Sequence, residues 1–344
     1  MPNMLSYSGP NMAKADINKD GLEDIYVCGA KNQQGQLMLQ QRGGGFITSM
    51  QSGFAGDASS EDTDALFFDA DNDGDMDLYV VSGGYSFADN DKALQDRLYI
   101  NDKGTFIKNE NALPLEAVSG SCVKAADIDA DGDLDLFVGG RVIPGRYPES
   151  PESFLLLNDG KGKFTNVTLS AAPSLPRLGM ITDALWIDLN KDNKPDLIVC
   201  GEWMKIHCFE NINGKLVDAT EKYFPNSLSG WWNKLASADL DGDGDADLVA
   251  GNWGTNSQLH VSEKEPATLC YGDFDNNGSI DPILCYYIQG KPYPMPSRDE
   301  MTDQMVSLRQ KFPTYDSYSE AGLQEILSPQ QMQTVKTLKA DFRF

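Results

Sequence analysis

The chain has 344 residues and carries 52 Asp and Glu against 28 Lys and Arg, a formal net charge of -24. Such an excess disfavours charge-driven binding to nucleic-acid phosphates or anionic lipid surfaces. The 40% apolar and 10% aromatic residues are enough for a packed core, so acidity here does not imply disorder. No apolar run approaches the ~20 residues of a membrane helix, and 32 Gly with 17 Pro favour a turn-rich architecture.

Residues 1–10 lack the basic and apolar regions of a signal peptide. From residue 16 onward one nonamer recurs six times: DINKDGLED (16–24), DADNDGDMD (69–77), DIDADGDLD (127–135), DLNKDNKPD (188–196), DLDGDGDAD (239–247) and DFDNNGSID (273–281). Asp stands first and ninth in every copy, and Asp or Asn third and fifth. These windows hold 25 of the 52 acidic residues and three of the 28 basic ones, so the other 290 residues have a net charge of only -2. The acidity is local.

The spacing suits a hard cation. Ca²⁺ takes six to eight oxygens at about 2.3–2.6 Å in a flexible shell. Carboxylates at positions one, three and five turn inward around one ion, Gly at position six permits the bend, position seven offers its main-chain carbonyl and Asp at position nine closes the shell. Without a cation such crowded carboxylates repel one another. The expected ligand positions are Asp16, Asn18, Asp20, Leu22 and Asp24 in the first loop, and Asp69, Asp71, Asp73, Asp75 and Asp77 in the second. The third has Asp127, Asp129, Asp131, Asp133 and Asp135, and the fourth Asp188, Asn190, Asp192, Lys194 and Asp196. The fifth has Asp239, Asp241, Asp243, Asp245 and Asp247, and the sixth Asp273, Asp275, Asn277, Ser279 and Asp281. An EF-hand needs Glu at position twelve and flanking helices. Here position twelve is Val27, Val80, Val138, Val199, Ala250 and Leu284, each in a β-prone run, so the loop leads into a strand.

Successive motifs start 53, 58, 61, 51 and 34 residues apart. A period of about 50–60 with short strands fits propeller blades. One strand enters the loop (65–68, 185–187) and a second leaves it (78–81). A third (97–100, 154–157, 206–209) reaches a Gly-containing turn and a fourth. The expected fold is an all-β β-propeller of four-stranded blades, seven-bladed or an incomplete six-to-seven-bladed form. Its calcium loops lie between first and second strands, and a small helical insertion stands near the C-terminus. Residues 1–296 form the repeats, 297–335 the insertion and 336–344 a strand returning to the propeller.

The nonamers resemble the D-x-D-x-D-G-x-x-D loops of the FG-GAP/VCBS-repeat family of integrin-α-like propellers, over roughly residues 11–290. The segments GGRVIPGRYP (139–148), YGDFDNNGSIDPI (271–283) and YPMPSRDE (293–300) are similar to bacterial VCBS proteins that also carry an ASPIC/UnbV-type domain. That resemblance implies an array continuing past the ends of this sequence, calcium as the cofactor in up to six loops, and an extracytoplasmic location. Asn18, Asn193 and Asn277 depart from the family pattern, and Pro282 follows the sixth loop directly, which weakens the first, fourth and sixth sites relative to the second, third and fifth.

Beyond residue 296, Ser297 with Glu300 forms a capping box, and Met301, Met305, Leu308 and Phe312 follow at helical spacing. Ser328-Pro329 with Gln331 starts a second helix, and residues 335–344 read as a strand. Catalytic signals are sparse. His207 and His260 are the two histidines, both expected in third strands, and no dinucleotide or P-loop fingerprint occurs. Cys28, Cys200 and Cys285 each fall twelve residues after a motif start and read as buried strand thiols, while Cys270 and Cys285 on neighbouring strands leave a disulfide open. The face opposite the loops collects Tyr85, Arg141, Arg146, Tyr147, Glu202, Trp203, Trp231, Trp232, Asn252 and Trp253. Those aromatics either fill gaps between blades or stack on a ligand. The reading is a non-enzymatic, calcium-stabilised binding or scaffold module of an exported bacterial protein with a protein or glycan ligand, no nucleic acid and no membrane insertion. The alternative is a carbohydrate-active lyase or hydrolase using Glu202 and Arg141.

Overall fold

The computed structural model describes residues 11–226, 229–253, 259 and 261–341. Each repeat becomes a meander because short runs of β-branched and aromatic residues are separated by turns whose Gly and Asn residues accept a left-handed backbone. The first sheet joins β1 (Met12–Ala15), β2 (Asp24–Val27), β3 (Gln36–Gln40) and β4 (Phe46–Ser49) in chain order. The second joins β5 (Asp62–Phe68), β6 (Asp77–Ser82), β7 (Arg97–Asp102) and β8 (Thr105–Lys108). The third joins β9 (Ser119–Ala126), β10 (Asp135–Val142), β11 (Phe154–Asn158) and β12 (Phe164–Asn166). The fourth joins β13 (Met180–Ile187), β14 (Asp196–Met204), β15 (His207–Asn211) and β16 (Leu216–Asp218). Single helical turns α1 (Ser52–Ala55), α2 (Thr168–Ala171) and α3 (Thr220–Tyr223) follow the fourth strands of the first, third and fourth sheets.

First strands touch first strands in sequence, β1 on β5, β5 on β9, β9 on β13 and β13 on β17 (Gly230–Ala238), which is the inner ring of a propeller. Between blades the sheet faces interlock. In β6, Leu78 and Val80 pack toward the first blade with Tyr26, Leu37 and Phe54, while Tyr79 and Val81 pack toward the third with Leu136 and Val138. Both faces are covered, so β6 reads as a continuous apolar run rather than an alternating one. Burying a side chain such as Leu78 on this scale is worth about 1.5–3 kcal/mol.

The four-stranded sheets make the chain an all-β propeller-like fold. Its fifth sheet is described as β17 and β18 (Asp247–Asn252); β17 also pairs with β14 through Glu202↔Trp231 and Met204↔Gly230. Trp203 is the bulged residue at that crossing, held at φ 60° in the left-handed region that a bulky side chain rarely adopts.

In the sixth sheet the order is β21-β20-β19-β22, with β19 (Ala267–Tyr271), β20 (Ile283–Ile288), β21 (Lys291–Pro294) and β22 (Lys336–Ala340). The last strand to arrive pairs with β19 on the side away from β20, and it also touches β14 and β17. Five short helices fill the interval: α4 (Arg298–Gln304), α5 (Leu308–Lys311), α6 (Tyr315–Ser319), α7 (Leu323–Ile326) and α8 (Pro329–Thr334). The single helix expected from the spacing of Met301, Met305, Leu308 and Phe312 is broken at Met305, which is extended at φ -123° and ψ 94°. All four side chains are nevertheless buried against Ile283 and Cys285. The Ser297 and Ser328 capping boxes form. All six cysteines are free and buried; Cys270 and Cys285 lie diagonally across β19 and β20.

One interblade device has no signal in the pattern of apolar residues. The first strands of the second, third and fourth blades bulge at Thr63, Ser121 and Thr182. Each hydroxyl donates to a carbonyl of the next first strand: to Gly120 at 3.1 Å, Ile181 at 2.7 Å and Trp232 at 2.7 Å. The bulge re-aims one side chain per blade across the boundary.

Candidate metal centre

All six nonamers fold alike. Position four is left-handed, with φ of 59° at Lys19, 62° at Asn72, 63° at Ala130, 62° at Lys191, 79° at Gly242 and 59° at Asn276. Position six is left-handed too, including Asn193 at φ 63°, which confirms that Asn replaces Gly there without changing the turn. The position-six N–H donates to the first carboxylate in every loop at 2.8–3.1 Å. The position-seven N–H donates to the fifth side chain at 2.7–3.0 Å. The position-two N–H donates to the ninth carboxylate at 2.8–3.3 Å. Loop geometry and ligand placement are one network: the first, fifth and ninth side chains are each aimed by a backbone donor from their own loop.

The first, third and ninth carboxylates converge. Their oxygens lie within 4.8 Å of one another in Asp69/Asp71/Asp77, Asp127/Asp129/Asp135, Asp239/Asp241/Asp247 and Asp273/Asp275/Asp281. In the first and fourth loops Asn18 and Asn190 hold the third position, so those loops have two carboxylates rather than three at positions one, three and nine. The sixth loop, set apart in the sequence by Asn277, still gathers the same three carboxylates as the second, third and fifth.

Desolvation raises two of the ninth carboxyls, those of Asp77 and Asp135, to about 6, against two backbone N–H groups that pull each the other way. Asp71 and Asp129 are raised by burial and then by Asp73 and Asp131 beside them. In the second loop Oδ1 of Asp69 and Oδ1 of Asp71 are buried with no hydrogen-bond partner. Buried carboxylate oxygens without a donor are costly. Hard anionic oxygens crowded in this way fit a hard divalent cation, Ca²⁺ above softer metals that prefer His and Cys.

Position seven is resolved differently from the other four. Asp75 pairs with Lys19 of the preceding loop at 2.6 Å, Asp133 accepts from Asn72 of the preceding loop, and Asp245 pairs with Lys191. Lys194 donates to Asn213 at 3.0 Å. These side chains are turned to neighbours, so the main-chain carbonyl is what position seven has to offer, and Leu22 and Ser279 serve there equally.

On the other side of the fold the aromatic residues are mostly interior. Tyr147, Trp203 and Trp231 are 3%, 4% and 3% exposed and share a cluster with Met180, Leu269, Leu284 and Ala340. The Trp203 indole N–H donates to the Tyr147 hydroxyl at 2.8 Å, and Trp203 meets Trp231 edge-on at 4.9 Å. Trp231 stacks on Trp253 at 4.2 Å. Of the two roles open to these aromatics, Tyr147, Trp203 and Trp231 are packed in the interior, covered by residues of the sixth blade and β22. Arg141 and Glu202 form an ion pair at 2.5 Å, and Trp232, Asn252 and Trp253 keep partial exposure. A cleft of about 330 Å³ opens beside Tyr147, between Leu269, Leu284, Met295, Glu300 and Gln304. His207 is packed on Phe209, its Nδ1 3.3 Å from the Thr220 hydroxyl, and burial lowers its pKa. His260 lies outside the described residues.

A family model described as FG-GAP-like repeat matches residues 16–80 and 188–250. Each span runs from one acidic loop through the strand that follows the next, so the chain carries FG-GAP-like repeats. No curated protein matches the sequence. Among solved structures, Saccharomyces cerevisiae Sqt1 is similar with a TM-score of 0.42 and 14% identity, over 85% of this chain and 67% of that one. The V. cholerae biofilm matrix protein Bap1 has a TM-score of 0.34 and 13% identity, over 84% of this chain and 48% of its own, so this chain spans about half its length.

Proposed function

We propose that the chain is a calcium-stabilised, non-catalytic propeller that serves as a binding or scaffold module of an exported protein. One observation carries this reading: six loops share one backbone geometry, and four of them draw three carboxylates within 4.8 Å of one another, with two buried oxygens in the second loop left without a donor. Bound Ca²⁺ would supply charge neutralisation and a fixed oxygen shell. Six ions would reduce the formal charge from -24 to -12. The chain's own contribution is positional: the left-handed residues at positions four and six turn the loop, and backbone N–H groups aim the carboxylates. Because the unfolded chain cannot assemble the shell, binding becomes folding free energy, about 2.7 kcal/mol per site at a hundredfold excess over Kd. Extracellular modules work with Kd values of about 10⁻⁴–10⁻³ M, which suits loops of this kind and supports an extracytoplasmic location. Among the described residues no helix is long and apolar enough to cross a membrane.

The ligand is a protein or glycan, met by the Arg141–Glu202 pair and the partly exposed rims of Trp232 and Trp253. Held by Arg141, Glu202 suits fixing a polar ligand more than transferring a proton. Calorimetric titration of Ca²⁺ into chelator-stripped protein tests the metal reading, with several sites expected and up to six. The absence of any binding heat together with unchanged amide spectra would overturn it.

A further inference from the structure

In the second, third and fourth blades one asparagine stands at the same point of the third strand: Asn101, Asn158 and Asn211, which are 1%, 7% and 1% exposed. Each main-chain N–H donates to the ninth carboxylate of its own loop, to Asp77 at 2.8 Å, Asp135 at 2.9 Å and Asp196 at 2.7 Å. Each side-chain amide crosses the blade boundary and donates to the position-two carbonyl of the preceding loop. Those acceptors are Ile17 at 3.4 Å, Ala70 at 2.9 Å and Ile128 at 2.7 Å. Asn101 and Asn158 also hold the position-eight carbonyls of their own loops, Met76 at 3.1 Å and Leu134 at 3.3 Å. The amide oxygens accept from the hairpin glycines Gly104, Gly160 and Gly214 at 2.7, 3.2 and 2.9 Å, which fixes each side chain's orientation.

The links connect end to end. Ile17 donates to Asp24 and accepts from Asn101; Asn101 donates to Asp77. Ala70 donates to the other oxygen of Asp77 and accepts from Asn158, which donates to Asp135. Ile128 donates to Asp135 and accepts from Asn211, which donates to Asp196. One buried chain of hydrogen bonds therefore runs through the closing carboxylates of four successive loops. Position two lies between the first and third ligand positions, so its carbonyl cannot shift without moving both. Buried bonds of this kind, with a carboxylate at each node, polarise one another and resist independent rearrangement.

We infer that this chain couples the first four metal loops, with Asn101, Asn158 and Asn211 as positioning residues, so that filling one loop raises the affinity of its neighbours. This rests on the calcium reading. An ion that draws Asp77 into its shell orders Ala70 and Met76, and through Asn158 and Asn101 it orders the third and first loops before they bind. The neighbour's ordering cost is then already met, which is positive cooperativity. The exposed Lys19–Asp75 and Asn72–Asp133 pairs span the same boundaries and add little because they are solvated.

The experiment is a Ca²⁺ titration of the chelator-stripped full chain followed by amide NMR. The position-six N–H of Gly21, Gly74, Gly132 and Asn193 reports its own loop. The four amides are expected to titrate together. Asp71→Asn, which removes a negative charge from the second loop's shell and weakens its ion, is expected to lower affinity at Gly132 and at Gly21 by about fivefold or more. With Asn158→Ala added, the effect of Asp71→Asn at Gly132 disappears while that at Gly21 persists through Asn101. Independent titration of the loops, or an effect at Gly132 that is the same with and without Asn158, overturns the coupling while leaving the calcium reading intact. No Ca²⁺-dependent shift at any of the four overturns both. If Asn158→Ala does not fold, Asp71→Asn alone decides, since unchanged affinity at Gly21 and Gly132 contradicts the coupling.

Discussion

The second and sixth blades carry the same loop in different surroundings. In the second, Asp77 accepts from Ala70 and Asn101, and the sheet is walled by blades on both faces. In the sixth, Asp281 accepts from Phe274, the helices α4–α8 form one wall, and β22 pairs beside β19, whereas the second sheet ends at β5. Yet the two loops share left-handed residues at positions four and six and the same backbone donors to the first, fifth and ninth side chains. The loop is thus a local object specified by nine residues, whereas what flanks a blade is decided by contacts far away in sequence.

The comparison yields graded expectations. Arg97 at the second blade is paired with Asp62 at 2.6 Å, and Asp62 also accepts from the Tyr26 hydroxyl and the Gly29 N–H of the first blade. Arg97→Ala leaves a buried carboxylate without its cation and should cost about 3–5 kcal/mol in urea unfolding. A loss below 1 kcal/mol would show that the blade interface is held mainly by its apolar residues.

Beside it, burial lifts the Asp96 carboxyl to about 7, although Ser82 N–H and the Tyr79 hydroxyl donate to it. A folded-state pKa above the unfolded 3.8 means the native protein holds the extra proton between those two values. Stability from this group is therefore present at low pH and lost as pH rises toward 7, by up to roughly 1.4 kcal/mol per pH unit. Asp96→Asn should flatten that slope in melts taken from pH 4 to 8; an unchanged slope would assign it to other groups.

At the sixth blade, Ser297 caps α4 in a capping box with Glu300, and Ser297→Ala should cost about 1 kcal/mol. That loss should appear in hydrogen exchange of α4 amides while the second blade's amides keep their protection. A matching loss in the second blade would mean that the two regions unfold as one unit.

The loops were legible because cation chemistry restricts positions one, three, five and nine to oxygen donors and position six to residues that turn left-handed. Position four was not, since Lys19, Asn72, Ala130 and Lys191 share a conformation but no chemistry. Asn101, Asn158 and Asn211 did carry a signal, an Asn before each Gly turn of a third strand, which reads locally as hairpin punctuation. Its second meaning depends on a carbonyl more than 80 residues away. The depth of Tyr147, Trp203 and Trp231 was hidden for the same reason: the topology tells which side of a blade they occupy, but the residues that cover them arrive with β19 and β22.

The central claim is that folding and cation binding are one equilibrium, and thermal melting of the full chain with excess Ca²⁺ and with excess chelator tests it most directly. The account predicts a melting temperature that rises with Ca²⁺ concentration and falls on chelation, with Asp71→Asn and Asp129→Asn each reducing the difference. Identical melting curves in Ca²⁺ and chelator would contradict it.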